Sequence, residues 1–350
     1  MHKGREQAEF YCGIDVGAQE LAVAVERAAG EPEQRVFSNT RGGHQTLVRW
    51  LQKADRTVRV CLEATGMYSL DLALALAAAE GIEVAVLNPK RMHRFASTLC
   101  RSKTDAADAV ALAEYARRMP FQRWQPPSAA ALELRAITRY AVQLVEQQGM
   151  QSSRLHAASA SATVPACVRQ DLRSSLRQLD RRIAKLRCQA RLLVRQTPEF
   201  DRRFRLLLSV PGIAEVSALQ LLGELMLLSP DLEVRQWVAH SGLDPQHHES
   251  GSSVHKKPRI SRAGNRYLRR ALFMPALVAA RRDPHLRGFY LRLLERHKTK
   301  MQALIAVARK MLHAIFGMFR SRSAYDGQRL VPIKERFSPS PLSQEKLLAT

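Results

Sequence analysis

Four acidic residues have the types and spacing of a metal-binding site. Asp105 and Asp108 stand three apart in RSKTDAADAVALAEYARR, residues 101–118, at the start of a predicted helix. At that spacing both side chains project from one helical face. Asp15 lies near the end of the strand-like run FYCGIDV, and Glu63 ends TVRVCLE. Carboxylates brought together in this way suit hard divalent metals, which prefer oxygen ligands. Two such metals can clamp the attacking and leaving oxygens of a phosphodiester. Each acid also has a plain structural reading. Asp15 can cap a turn with Gly17, Glu63 can be an exposed residue after a strand, and Asp105 and Asp108 favour a helix amino terminus through its dipole.

A second set of reactive residues lies in HSGLDPQHHESGSSVHKKPRISRAGNRYLRR, residues 240–270. It reads as a loop rich in Gly, Ser and His, followed by Lys256, Lys257, Arg259, Arg262 and Arg266, with a helix from about Asn265. A serine beside glycine and several cations suits a nucleophile facing phosphate, though a serine hydroxyl needs a base or a polarised electrophile. Most loop serines do no chemistry. His247, His248 and His255 suggest zinc, but with Glu249 they match no common zinc-ligand spacing and the loop has no cysteine.

The elements that must position these residues fall into two kinds. Residues 9–16, LAVAVERA and EQRVFSN read as a three-strand meander. HQTLVRWLQKAD is amphipathic, TVRVCLE is a strand, SLDLALALAAAEG is a helix closed by Gly81, and IEVAVLNP is a strand stopped by Pro89. KRMHRFAST and the acidic segment follow as helices. Three strands and then alternating helix and strand is the order of a ribonuclease-H-like α/β fold, a fold-level analogy.

Beyond Pro126 and Pro127 strand signals vanish. Leu172, Leu176, Leu179, Ile183, Leu186, Ala190 and Leu193 form a heptad seam with arginine-rich flanks, and Leu134, Ile137, Ala141 and Leu144 form a weaker one. SASATVPA, residues 159–166, joins two antiparallel helices. Such a hairpin serves either as an intramolecular pair or as a dimerisation arm, and its arginines either face solvent or meet phosphates. LLLSVPGIAEVSALQLLGEL, residues 206–225, resembles a helix-hairpin-helix, whose turn amides can meet DNA phosphate. Residues 286–319 carry two more helices, and the segment from residue 323 reads as a disordered tail.

Charge divides the chain in the same way. Of 350 residues, 55 are Lys or Arg and 32 Asp or Glu, a formal net charge of +23. Residues 1–118 hold 16 basic and 15 acidic residues, so nearly all the excess lies beyond them. A neutral, acid-equipped part joined to a polycation points to a nucleic-acid or anionic-membrane partner. No run of about 18 apolar residues marks a membrane span. MHKGREQAEFY is not a secretory signal. The five cysteines, Cys12, Cys61, Cys100, Cys167 and Cys188, show no paired spacing, which fits reduced thiols in a cytoplasmic protein.

IDVG, LEATGMY, KTDAADA, the PGI hairpin, GLDP and SG…RISRAGNRYLRR occur in an order that resembles DEDD-type insertion-sequence transposases. That family is similar to the pilin-gene DNA invertases and includes bridge-RNA-guided recombinases. The likeness spans roughly residues 10–320. It implies a RuvC-like catalytic domain over residues 1–122, a coiled-coil arm over 123–200, a helical transposase domain with a catalytic serine over 201–322, and a tail over 323–350. The family's acids fall on Asp15, Glu63, Asp105 and Asp108, which would bind Mg²⁺. Its serine falls on Ser250, with Ser252, Ser253 and Ser261 as competitors. The implied reaction is strand exchange through a phosphoserine link, with double-stranded DNA and a guide RNA as partners, no membrane, a homodimer or homotetramer, and a cytoplasmic, nucleoid-associated location. Lys256, Lys257, Arg259, Arg262 and Arg266 would contact nucleic acid.

Three rivals remain. A RuvC-like junction nuclease would use a metal-activated water and need no serine. A sugar-kinase-like ATPase would share I-D-x-G but should show a second glycine-rich phosphate loop, which is not evident. A non-catalytic basic binding protein would tolerate loss of the acids.

Overall fold

The computed structural model describes residues 10–27, 32–53, 57–66, 68–99, 104–250 and 254–332, without the side chains of residues 27, 247–250 and 254–258. The chain forms two compact units, residues 1–126 and 127–350.

The first unit is a five-stranded mixed sheet of order β3-β2-β1-β4-β5. The meander expected from the sequence is present: β1 (Phe10–Val16), β2 (Glu20–Arg27) and β3 (Glu33–Ser38) pair antiparallel. Then β4 (Val58–Glu63) and β5 (Ile82–Leu87) add parallel to β1. The parallel strands are β-branched and alternate in facing. Ile14, Val60, Leu62 and Val84 turn one way, into a core with Leu47 and Leu51 of α1 (Arg41–Gln52) and Leu72 and Leu76 of α2 (Leu70–Ala77). Cys61 and Ala85 turn the other way, against Met92 of α3 (Pro89–Leu99) and Leu112 and Tyr115 of α4 (Asp105–Arg118). Two opposed apolar faces explain why the central strands carry so few charges.

The second unit is helical apart from one hairpin. α5 (Ala129–Ala160) and α6 (Ala166–Gln196) lie antiparallel, with Arg182 reaching the Tyr140 hydroxyl and Gln148 donating to Asp180 at 2.5 Å. Leu144, Leu179 and Ile183 are buried along the predicted seams, and Val145 and Leu186 pack beside them. The base of the pair is not a separate domain. Ala131, Leu134, Ala190 and Val194 belong to the main core of the second unit, so the division expected at residue 200 is bridged by shared apolar packing.

α7 (Pro198–Leu208) and α8 (Glu215–Leu225) are joined by the PGI turn, whose Val210 and Ile213 are buried in that core. α9 (Val234–Ser241), α10 (Arg266–Arg282), α11 (Pro284–Glu295) and α12 (Lys300–Ser321) complete it. By length and composition α12 could cross a membrane, but half of its apolar stretch is buried in this unit. It reads as a core helix.

Two expectations are corrected. The Gly/Ser/His-rich segment is not a simple loop: β6 (Pro245–Ser250) and β7 (Val254–Ile260) form an antiparallel hairpin, irregular between Gln246 and His248. The tail does not begin at residue 323. Val331 is buried, its carbonyl lies 2.9 Å from His285 Nδ1, and α13 (Gly327–Leu330) is capped by Asp326. Residues 333–350 of that expected tail lie outside the described residues.

Candidate active site

Strand register brings the first two acids side by side. β1 and β4 are parallel with Ile14 opposite Leu62, so Asp15 and Glu63 follow in step at the carboxyl ends of neighbouring strands. They share the facing of Gly13 and Cys61, toward α4 rather than toward α1 and α2, because side chains alternate along a strand. Both are partly buried.

Helix packing brings the other two acids to the same end. A Cβ on Gly13 would lie 2.0 Å from the Ala109 carbonyl oxygen, so only glycine lets α4 rest on the strand this closely. Farther along α4, Arg117 Nε pairs with Glu26 Oε1 at 3.1 Å, and Glu26 sits opposite Tyr11 near the start of β1. The helix therefore runs antiparallel to β1, and its amino terminus points to the end where Asp15 lies. Thr104 caps that terminus, its hydroxyl accepting from Ala107 N at 3.2 Å. Asp105 is exposed and Asp108 partly buried in the first turn, where the helix dipole favours negative charge.

The four acids thus share one end and one face of the sheet. Among the described residues no three His, Cys, Asp or Glu side chains converge closely enough to hold a metal. As a donor set they fit a hard divalent cation, since all four offer carboxylate oxygen. The nearby thiols do not compete for this role. Burial raises Cys12 well above the ordinary thiol range, aided by Cys61, and burial pushes Cys61 up to about 12. Both stay protonated and weakly nucleophilic.

The serine candidates separate along the hairpin. Ser250 ends β6 at the tip and its side chain lies outside the described residues, as do Ser252 and Ser253 altogether. Ser261 stands at the base, where its hydroxyl donates to Asp244 Oδ1 at 2.6 Å and its amide to the Asp244 carbonyl at 2.9 Å. It serves as a structural tie between the GLDP and RISRAGN segments. Arg262 N bonds the Gly242 carbonyl at 3.2 Å, Asn265 N the His240 carbonyl at 2.7 Å, and an Arg269 guanidinium nitrogen the Ser241 carbonyl at 2.8 Å. The hairpin springs from a firmly bonded base.

The predicted cations are only partly brought together. Lys256, Lys257 and His255 lie on β7, and His247 and His248 on β6, all with side chains outside the described residues. Arg259, Arg262 and Arg266 are exposed. Arg266 donates to the Tyr267 hydroxyl at 3.2 Å and lies 5.0 Å from its ring centre, while Arg139 lies 4.5 Å from the same ring. The bond from Arg266 holds the Tyr267 hydroxyl below its ordinary pKa.

Behind this surface is a network the sequence reading missed. Glu224, 4% exposed, accepts from Arg139 Nε and Nη2 at 2.7 and 2.8 Å and from the Asn265 amide at 2.5 Å. Asn265 also caps α10, its Oδ1 accepting from Tyr267 N and Leu268 N. His240 lies close by, its pKa lowered by burial. The available signal was a single acid inside the apolar run LQLLGELMLL.

Residues 12–159 match a transposase family model of the DEDD, IS110 type, and residues 204–291 match the model described as transposase IS116/IS110/IS902 family. The chain belongs to this transposase family, and it is a DNA strand-exchange enzyme. Among its relatives, the pilin gene-inverting protein of Moraxella bovis is 31% identical over 331 residues, covering 91% of this chain and 98% of that protein. The protein of the same name from Moraxella lacunata matches to the same extent. An uncharacterized 43.6 kDa protein of insertion element IS110 from Streptomyces coelicolor is 37% identical over 90 residues, covering 26% of this chain and 22% of that protein. Among solved structures, RuvC of Thermus thermophilus aligns with a TM-score of 0.26 and 18% identity over 33% of this chain and 99% of that one.

Proposed function

We propose that this transposase cuts and rejoins DNA through a covalent bond to Ser250, assisted by a divalent cation, Mg²⁺, held by Asp15, Glu63, Asp105 and Asp108. The observation that carries the reading is the assembly of the four acids at one end and on one face of the sheet, by strand register and by α4 lying against Gly13. When bound there, the cation would polarise a phosphate and stabilise a departing oxygen. The carboxylates would supply its oxygen ligands, and the α4 amino terminus would offset their mutual repulsion. Ser250 Oγ would bond to phosphorus as its proton leaves. The bond from phosphorus to one deoxyribose oxygen would break, and that oxygen would depart as a hydroxyl. A strand hydroxyl would then attack the phosphoserine, release Ser250 and restore a phosphodiester.

Lys256, Lys257, Arg259, Arg262 and Arg266 would hold the DNA backbone in a salt-sensitive manner. A guide RNA would supply sequence choice by pairing, leaving the protein to read backbone and shape. A dimer or tetramer acting on DNA at the nucleoid is part of the same reading.

The test uses purified protein, Mg²⁺, the element's flanking transcript and a plasmid carrying the end junction. Wild type should yield protein covalently attached to DNA, and both Ser250→Ala and Asp105→Ala should yield none. Nicked DNA without an adduct, still formed by Ser250→Ala, would instead mean a metal nuclease of the junction-resolving kind. Adduct that forms equally well without transcript would remove the RNA from the reading.

A further inference from the structure

Three segments far apart in sequence meet at the end of the first unit where the acids lie. The Asn39 side-chain amide donates to the Gly17 carbonyl at 2.8 Å and to the Tyr68 carbonyl at 3.2 Å. Gly17 follows Asp15 by two residues, in the turn out of β1. Tyr68 follows Glu63 by five, in the segment out of β4. Asn39 N also donates to the Gln19 carbonyl at 2.7 Å. One residue therefore ties together the two connections that leave the acid-bearing strands.

The orientation of Asn39 is itself determined. The Gly17 and Tyr68 carbonyls can only accept, so the amide nitrogen must face them. Its Oδ1 then faces His44 Nε2 at 2.7 Å, and that nitrogen must carry a hydrogen. His44 is 6% exposed and is held by the first turn of α1, where its amide donates to the Thr40 carbonyl at 2.8 Å. Thr40 caps that helix, accepting from Gly43 N at 3.2 Å. A Cβ on Gly43 would meet the Ser38 carbonyl at 1.9 Å, so glycine is what lets the helix start this close to the end of β3. The stretch SNTRGGH thus builds a clasp: the cap sets the helix, the helix sets His44, and His44 sets Asn39.

We infer that Asn39, oriented by His44, is a positioning residue that fixes the segments following Asp15 and Glu63 and so holds the two carboxylates in register for a divalent cation. This rests on the reading of the acids as a metal site. Neither residue need touch DNA or metal. A parallel pair of strands already aligns the two acids, but a strand end frays unless the chain beyond it is held. Asn39 supplies that hold to both strands at once.

The experiment uses the full chain and two readouts. Backbone hydrogen exchange is followed in peptides spanning residues 16–21 and 64–70, with β4 and β5 peptides as the reference for overall stability. Mn²⁺ binding is followed by electron paramagnetic resonance, with Asp15→Asn as the control that should abolish it. Asn39→Ala should speed exchange in both segments by about tenfold, as loss of two hydrogen bonds allows, and weaken Mn²⁺ binding by a similar factor. The β4 and β5 peptides should not change. His44→Ala should do the same to a smaller degree. His44→Gln, which can still donate to Asn39 Oδ1, should recover most of the loss. Unchanged exchange in the two segments of Asn39→Ala overturns the clasp. Faster exchange with unaltered Mn²⁺ affinity overturns its role in holding the acids. Wild type that binds no Mn²⁺ sinks the metal reading and, with it, the role of Asn39 toward the metal, while the exchange data still decide whether the clasp exists.

Discussion

The two units hold their reactive groups in opposite ways. In the first, nearly neutral unit, the acids sit on strand ends and a helix start whose positions follow from sheet register and from α4 lying against Gly13. In the second, strongly basic unit, the proposed nucleophile sits at the tip of a two-stranded hairpin, whose base is tied by Asp244, Ser261 and Asn265. The proposed metal site would need several donors held to a small tolerance, which strand register and helix packing would supply. The proposed nucleophile would instead be carried by a hairpin whose base is bonded through Asp244 and Ser261. Damage should therefore be felt differently: packing changes in the first unit should act through the acids, and changes in the second through the hairpin base and the phosphate contacts.

The largest effect should come from Gly13→Val. With a Cβ 2.0 Å from the Ala109 carbonyl, α4 must leave the sheet, at a cost of about 3 kcal/mol or more. Hydrogen exchange in β1 and α4 should rise steeply while α10 and α12 stay protected. Equal protection in all four would break the comparison. Next is Glu224→Ala, which strands Arg139 and removes a partner of Asn265. Loss of one side of a buried ion pair costs about 3 kcal/mol. Here urea unfolding monitored at Trp237 should shift, with β1 exchange unmoved, and Glu224→Gln should lose less.

Acid should weaken both units modestly. His44, His240 and His313 all have pKa values lowered, chiefly by burial, so the folded chain disfavours their protonation. Their contribution is complete above the unfolded histidine pKa of about 6.5 and is lost as pH falls below it. A melting temperature that rises between pH 7 and pH 5 would contradict this. The smallest effect belongs to the surface cations. Arg262→Gln and Arg266→Gln should each lower the salt dependence of DNA binding by roughly one unit of slope without altering stability. No change in slope would remove these arginines from the phosphate contacts.

Much of the first unit was legible because its rules are local. Alternating β-branched runs mark the strands that carry Asp15 and Glu63 near their ends, and the paired Asp105 and Asp108 mark the start of α4, although α2 closes at Ala78 rather than at the expected Gly81. Richness in Gly, Ser and His predicts a loop for the hairpin, whereas its strands pair above a base where Ser261 bonds Asp244, 17 residues away. Glu224 and Asn39 escaped notice for a related reason. Their partners lie 85 and 41 residues away for Glu224, and 22 and 29 away for Asn39, so no sequence spacing links them. The polar run SPSPLSQEK predicts a tail, but Tyr325 and Val331, just before it, pack against the core of the second unit.

Adduct formed by wild type with Mg²⁺ and end-junction DNA is digested with trypsin and nuclease, and the modified peptide is sequenced by mass spectrometry. The account predicts a nucleotide joined through phosphate to Ser250. A nucleotide on Ser261 would contradict the placement of the nucleophile at the hairpin tip. Cleaved DNA with no nucleotide on any serine would contradict covalent exchange itself.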